Sequence, residues 1–244
     1  MLTLAFLQAA LSNQPSLECR CCDNLNLYDS PALERLATQA VMGRHLRIVG
    51  IEEGQPALRV VLCEDDYPGW VAVEDLDLLT VAEQAYRPVL LTAAEIRDRI
   101  PNVLAFVHAA MAQPNHYLWG GTVGPNYDCS GLMQTAFAAT GIWIPRDAYQ
   151  QEAFVQPVAM TALQPGDLIF FGSPERCTHV GIYRGNGEYI HSSGKNQGRN
   201  GIGVDVLSEQ GDRISQIYFR QVRGAGRVVA CYCPMDAAKA DSSG

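Results

Sequence analysis

Residues 15–82 read as a succession of short β-rich runs broken by turn residues. Residues 24–28 alternate weakly and stop at Asp29-Ser30-Pro31. Residues 45–51 and 57–63 flank Glu53-Gly54-Gln55-Pro56, and Pro68-Gly69 precedes the run Trp70-Val71-Ala72-Val73. Several short strands at this spacing point to a small β-barrel. The pattern then changes. Residues 83–91 form a bridging segment, followed by helical patterns at residues 93–98 and 102–112; Pro101 suits the first turn of the second and Pro114 stops it. From Leu163 the chain returns to strand-like runs at residues 168–171, 179–184, 188–192 and 214–221. Strands and helices are segregated, so the expected class is α+β. The expected organisation is a barrel with an N-terminal extension (1–85), a second domain of helices followed by strands (86–235), and a small polar tail (236–244) that is flexible.

The 48% hydrophobic and 18% charged content of this 244-residue chain fits a soluble globular protein. No apolar run reaches the ~18 residues of a membrane span, so no membrane partner is expected. Residues 1–11 are apolar but lack a basic leader and a clear cleavage site, and read as a core segment or a leading helix. The eight cysteines include Cys19, Cys21, Cys22, Cys231 and Cys233, whose spacings lack the two-residue gap that lets a turn chelate zinc. No metal and no cofactor are expected, and reduced thiols suit a cytoplasmic location. The net charge of −8 lies entirely in residues 1–85, which hold 13 acidic and 5 basic side chains. A cluster such as Glu64-Asp65-Asp66 forms an acidic surface that repels nucleic acid and favours amine-bearing ligands.

The chemistry points to one helix start. Asp128-Cys129-Ser130-Gly131 opens a helix whose Leu132, Met133, Ala136 and Phe137 share a face, with Gly141 as its stop. Asp128 is a suitable N-cap, which puts Cys129 in the first turn, where the positive helix end stabilises a thiolate. A thiol pKa below the ordinary value is therefore expected. Upstream, Gly120-Gly121 allows a tight loop close to a reacting group. Downstream, His179 begins a strand and His191 lies on the next one. A three-residue loop at residues 185–187 would pair Gly181 with His191 and put both imidazoles on one face. A two-residue Asn-Gly loop would put them on opposite faces. With the first register, His179 takes the Cys129 proton and His191 orients His179.

These residues resemble the NlpC-type cysteine peptidases, papain-like enzymes of bacterial wall metabolism. The resemblance covers roughly residues 95–231 through Tyr117-x-Trp119-Gly120-Gly121, Asp128-Cys129-Ser130-Gly131, Leu163-Gln164-Pro165-Gly166-Asp167-Leu168 and His179-Val180-Gly181-Ile182-Tyr183. Residues 1–85 resemble a bacterial SH3-like barrel. Together the two parts look like the γ-D-glutamyl-L-diamino-acid endopeptidases. The resemblance implies Cys129 as nucleophile, His179 as base, His191 as the third polar residue, and an oxyanion hole from the Cys129 N–H and the Tyr117 hydroxyl. It also implies that Asp147, Ser130 and Tyr67, with Asp128 beside them, hold the free L-alanine amine of a murein peptide, L-Ala-γ-D-Glu-diamino acid. On this view the enzyme recycles released peptides. The competing readings are a hydrolase of intact peptidoglycan anchored by its barrel, and a non-enzymatic barrel protein with a degenerate peptidase domain. The sequence leaves the oligomeric state and the preferred diamino acid open.

Overall fold

A computed structural model describes residues 2–235. The tail expected from residue 236 onward lies outside the described residues. The chain divides into two compact units, residues 2–88 with 233–235, and Val89–Tyr232.

The first unit opens with helix α1 (Leu4–Asn13), where Thr3 Oγ1 accepts the Phe6 N–H and Leu7 is buried. The apolar start of the chain is thus a packed helix. Strands β1 (Leu17–Cys21), β2 (Leu25–Tyr28), β3 (Leu36–Ala40), β4 (His45–Ile51), β5 (Ala57–Leu62), β6 (Pro68–Ala72) and β7 (Leu79–Val81) form an antiparallel sheet in the order β3-β2-β6-β5-β4-β1-β7. Every strand gives side chains to one apolar cluster, among them Cys19, Leu27, Ala40, Leu46, Leu58, Val71 and Leu79. A sheet that feeds a single core from all its strands must curl around it, which gives the barrel.

The acidic cluster departs from the surface role expected of it. Glu64 and Asp65 are buried and paired with the buried Arg44, at 3.2 and 2.9 Å. Asp66 pairs with Arg47 at 3.2 Å. Carboxylates removed from water need such partners, so this run stabilises the barrel interior rather than presenting charge.

The second unit contains α2 (Ala93–Ala112), α3 (Cys129–Ala138), α4 (Ala148–Phe154), β8 (Gln156–Val158), β9 (Leu168–Gly172), β10 (Cys177–Gly185), β11 (Glu188–Ser193), β12 (Gly201–Val206), α5 (Arg213–Phe219) and β13 (Val222–Arg227). Its antiparallel sheet runs β12-β11-β10-β9-β13-β8. Helix α3 packs on β10 and β11, and α2 packs on α3. Leu132, Met133, Phe137, Phe170, Val180 and Ile182 lie in the shared core.

Two readings from the sequence change here. Residues 93–112 form one helix with Pro101 inside it, started by a capping box between Thr92 and Glu95. Pro101 removes one helical hydrogen bond, but it and Arg97, whose carbonyl loses that bond, are both exposed, so water can serve as donor. Residues 214–221 do not form a strand. Asp212 caps α5 by accepting the Ser215 N–H at 2.8 Å, and the run becomes a short helix that buries Ser215 and Tyr218.

Candidate active site

Asp128 starts α3 and ties its surroundings together. Its Oδ1 accepts the Gly131 N–H at 2.6 Å, and its Oδ2 accepts the Gly120 N–H at 2.9 Å. Arg146, 1% exposed, donates to both oxygens at 3.1 and 2.6 Å. The fork geometry suits a carboxylate and satisfies both charges away from water. Asp128 and Ser130 were expected to face a substrate amine. Instead the Asp128 carboxylate is occupied by Arg146 and the two backbone N–H groups. The Ser130 hydroxyl accepts from Arg146 Nη1 at 3.0 Å and donates to Asp128 Oδ1 at 3.4 Å. Both residues are buried and support the helix start from within.

Cys129 is the first residue of α3 and is buried. Its sulfur accepts backbone N–H groups from Val180 and Ser130. The Val180 contact places the sulfur against β10, one residue beyond His179. The expected low thiol pKa is not found. Burial pushes it up to about 12 and the Asp128 charge adds to this, while the two N–H donors and Arg146 act weakly in the other direction. The helix terminus does stabilise a thiolate, but Asp128 at that terminus and the loss of water outweigh it.

His179, His191 and Asp205 lie on a diagonal across three adjacent strands. The pairing Ile182↔Ile190 carries Gly181 opposite His191, so His179 sits two residues along β10 on the same face. His191 pairs with Gly203, and Asp205 sits two residues further along β12. His179 Nε2 meets His191 Nδ1 at 2.7 Å, and His191 Nε2 meets Asp205 Oδ2 at 2.6 Å. The β10–β11 loop reaches this register by a route that neither expected geometry contained. Asn186 and Gly187, both at positive φ, make a two-residue turn, and Gly185 pairs with Glu188. The register shift between Tyr183 and Gly185 then inserts one extra residue. The bulge supplies the odd residue that the turn lacks and keeps both histidines on one face.

The Tyr218 ring stacks on His179 at 4.5 Å between centroids, and its hydroxyl meets Ser193 Oγ at 2.8 Å. Phe171 lies 5.6 Å from the His179 ring. Burial is the first cause that lowers the pKa of His179, followed by the His191 charge. Burial likewise lowers that of His191, against the hydrogen bond and charge of Asp205. Burial thus favours the neutral form of both rings, as it favours the protonated form of Cys129.

Tyr117 is half-buried beside Tyr127, close enough to Cys129 and Asp128 for their charges to raise its phenol pKa further after burial has done so. It stays protonated and able to donate. Trp119 is exposed. Asp147 caps α4 and shares a capping box with Gln150, whose Oε1 accepts the Asp147 N–H at 3.0 Å. Gln151 ties this segment to the nucleophile helix, donating to the carbonyls of Ser130 at 3.0 Å and Pro145 at 2.8 Å. Tyr67 lies in the turn between β5 and β6 and packs against the barrel core. The sequence reading missed Asp205, Arg199 and Tyr218. The alternation Ile202-x-Val204-x-Val206 was the available signal for the strand that carries Asp205.

A cysteine at a helix start, set against a buried histidine relay on an antiparallel sheet, defines an α+β domain of the thiol–imidazole class. Residues 114–222 match the NlpC/P60 family, and residues 27–76 match the bacterial dipeptidyl-peptidase SH3 domain. The chain thus carries an NlpC/P60 domain behind a bacterial SH3 domain, with the candidate thiol and both histidines inside the matched region. It is 39% identical over 95 residues to the γ-D-glutamyl-L-lysine dipeptidyl-peptidase of Bacillus subtilis, covering 38% of this chain and 30% of that protein. It is 43% identical over 90 residues to a probable endopeptidase of Mycobacterium bovis, covering 36% of this chain and 23% of that one. The match thus spans less than a third of either relative. Among solved structures, an NlpC/P60 family protein from Bacillus cereus aligns over 91% of this chain and 66% of its own, with 22% identity and a TM-score of 0.43.

Proposed function

We propose that this protein is a cysteine peptidase that hydrolyses the γ-D-glutamyl–diamino-acid bond of released murein peptides bearing a free N-terminal L-alanine. The observation that carries the peptidase reading is the unbroken hydrogen-bonded series from His179 through His191 to Asp205, on a sheet against which the helix that begins with Cys129 packs. In the reaction, His179 removes the Cys129 proton as the sulfur attacks the scissile carbonyl. The Cys129 N–H and the Tyr117 hydroxyl stabilise the oxyanion, a contribution worth roughly 10²–10³ in rate for one donor in other enzymes. The tetrahedral species collapses to a thioester as His179 returns the proton to the departing amine. Water, activated by the same imidazole, then releases the γ-glutamyl product and restores the thiol.

The activity for which the Bacillus subtilis relative is named supports the choice of bond. The free-amine requirement rests on Asp147, a half-buried carboxylate on the segment that Gln151 pins to α3. A substrate ammonium there would gain a charge-assisted hydrogen bond that an acetylated amine cannot make. Released peptides of this kind fit a cytoplasmic recycling role. The test is mass-spectrometric comparison of L-Ala-γ-D-Glu-diamino-acid peptides with lysine or diaminopimelate, their N-acetylated forms, and intact peptidoglycan. Cleavage confined to the free peptides is expected. Equal cleavage of acetylated peptides, or efficient digestion of intact wall, would overturn the recycling reading.

A further inference from the structure

Asp205 is 2% exposed and fully engaged. His191 Nε2 approaches its Oδ2 at 2.6 Å, Arg199 Nε donates to Oδ2 at 2.9 Å, and Ser215 Oγ donates to Oδ1 at 3.0 Å. Arg199 Nη2 also donates to Oδ1. Burial alone would raise the Asp205 pKa, but the hydrogen bonds and charges of His191 and Arg199 outweigh it and hold the carboxyl well below the usual range. Asp205 is therefore ionised and can only accept.

That fixes the proton positions of two rings. His191 Nε2 faces a pure acceptor and must carry the hydrogen. In a neutral ring Nδ1 then holds a lone pair. It faces His179 Nε2 at 2.7 Å, so that nitrogen must carry a hydrogen in turn. In neutral His179 the only remaining lone pair is on Nδ1, the ring nitrogen nearer the main chain. We infer that Asp205 is a positioning residue that sets the tautomers of both histidines and so makes Nδ1 of His179 the base that takes the Cys129 proton. This inference rests on the peptidase reading above for its last step only.

Arg199 has a matching part. Its charge opposes protonation of His191 beside the carboxylate. Were His191 an imidazolium, its Nδ1 would be a donor, and His179 would have to turn an acceptor toward it. The hydrogen of His179 would then sit on Nδ1, and that nitrogen could no longer act as the base. The charged and titratable groups facing this series are Arg199, Tyr189 and Tyr218, with Asp212 3.7 Å from Arg199 and Cys129 on the helix packed against β10 and β11. Two glycines leave the room it needs. A Cβ at Gly181 would come 3.2 Å from His191 Cβ, and one at Gly203 would come 2.8 Å from Arg199 Cδ.

The test is ¹⁵N NMR of the histidine rings in the full-length wild-type chain, combined with kinetics of Asp205→Asn and Asp205→Glu. The wild type should show both His179 and His191 neutral, with the hydrogen on Nε2. Asp205→Asn, whose carboxamide can also donate, should lose that pattern and lower kcat by about 10²–10⁴-fold with KM nearly unchanged. Asp205→Glu should recover part of the loss. A hydrogen on Nδ1 of either ring in the wild type overturns the inference, and needs no variant to fold. So does a folded Asp205→Asn protein that keeps the wild-type tautomers or a kcat within a few-fold. A wild type with the expected tautomers but no hydrolytic activity supports the tautomer-setting role and removes the peptidase reading instead.

Discussion

The Arg146 guanidinium and the Asp128 carboxylate meet at 2.6 Å in the protein interior, and the same carboxylate caps the helix that begins with Cys129. Helix geometry, the Gly120 loop and the segment leading to α4 thus converge on one ion pair. Arg146→Ala leaves a buried carboxylate without its cation, a loss that typically costs about 3–5 kcal/mol. Arg146→Lys restores the charge but not the fork. Denaturant unfolding should show a large loss of stability for the alanine variant and only partial recovery for the lysine variant.

Cys129→Ala removes the candidate nucleophile and little else, because the sulfur contacts only backbone N–H groups among its hydrogen-bond donors. Turnover of the free tripeptide should fall by several orders of magnitude, since a nucleophile and its base act as a unit. The unfolding midpoint should move little. Residual turnover within tenfold of the wild type would show that another group does the chemistry.

The resting state can be read from alkylation. With the Cys129 thiol pushed up to about 12 and His179 held neutral by burial, the sulfur is protonated across the physiological range. The iodoacetamide rate at Cys129 should therefore climb about tenfold per pH unit through neutrality and still be rising near about pH 9. A resting thiolate–imidazolium pair would give a flat profile over that interval.

The parts of this architecture written in local pattern were legible in the sequence. The run 45–51 becomes β4 at the same limits, and Asp128-Cys129-Ser130-Gly131 becomes the start of α3. The histidine geometry was legible only as a condition on the β10–β11 loop, because a bulge can add the residue that the turn omits. Asp205 was not found. Its strand presents Gly201, Gly203 and Asp205 to the interior and leaves Ile202, Val204 and Val206 only partly covered. The alternation of Ile202, Val204 and Val206 marks the strand but gives no reason for an acid on its buried face; that reason lies in Arg199 and His191, which reach Asp205 through tertiary contacts. The ionic pairing of Glu64 and Asp65 with Arg44 is non-local in the same sense, with about twenty residues between the partners.

Asp147→Asn should keep the α4 cap, because asparagine serves as an N-cap nearly as well as aspartate. On the proposed reading it removes the charge that holds the substrate ammonium. The value of kcat/KM for the free peptide should drop by about tenfold or more, corresponding to a lost charge-assisted hydrogen bond. The already poor rate on the acetylated peptide should change little. Equal losses on both peptides would assign Asp147 to folding alone.

Acid should destabilise the second unit through its two buried histidines. His179 and His191 are neutral in the folded protein and have pKa values lowered by burial. In the unfolded chain each returns to about 6.5. Below that pH the unfolded state binds more protons than the folded one, so stability falls as pH falls. The slope is at most about 1.4 kcal/mol per pH unit for each histidine, and it ends when the folded-state pKa is reached. Asp205, with its folded pKa below the ordinary carboxylate range, keeps its stabilising charge through this window and loses it only below about pH 3.9. Urea unfolding at a series of pH values from 7.5 to 5 should show this decline, and His179→Gln should make it shallower by removing one of the two proton sites. Stability that is constant or rises over the same interval would mean that at least one ring is already charged in the folded protein, which is incompatible with the tautomers assigned above.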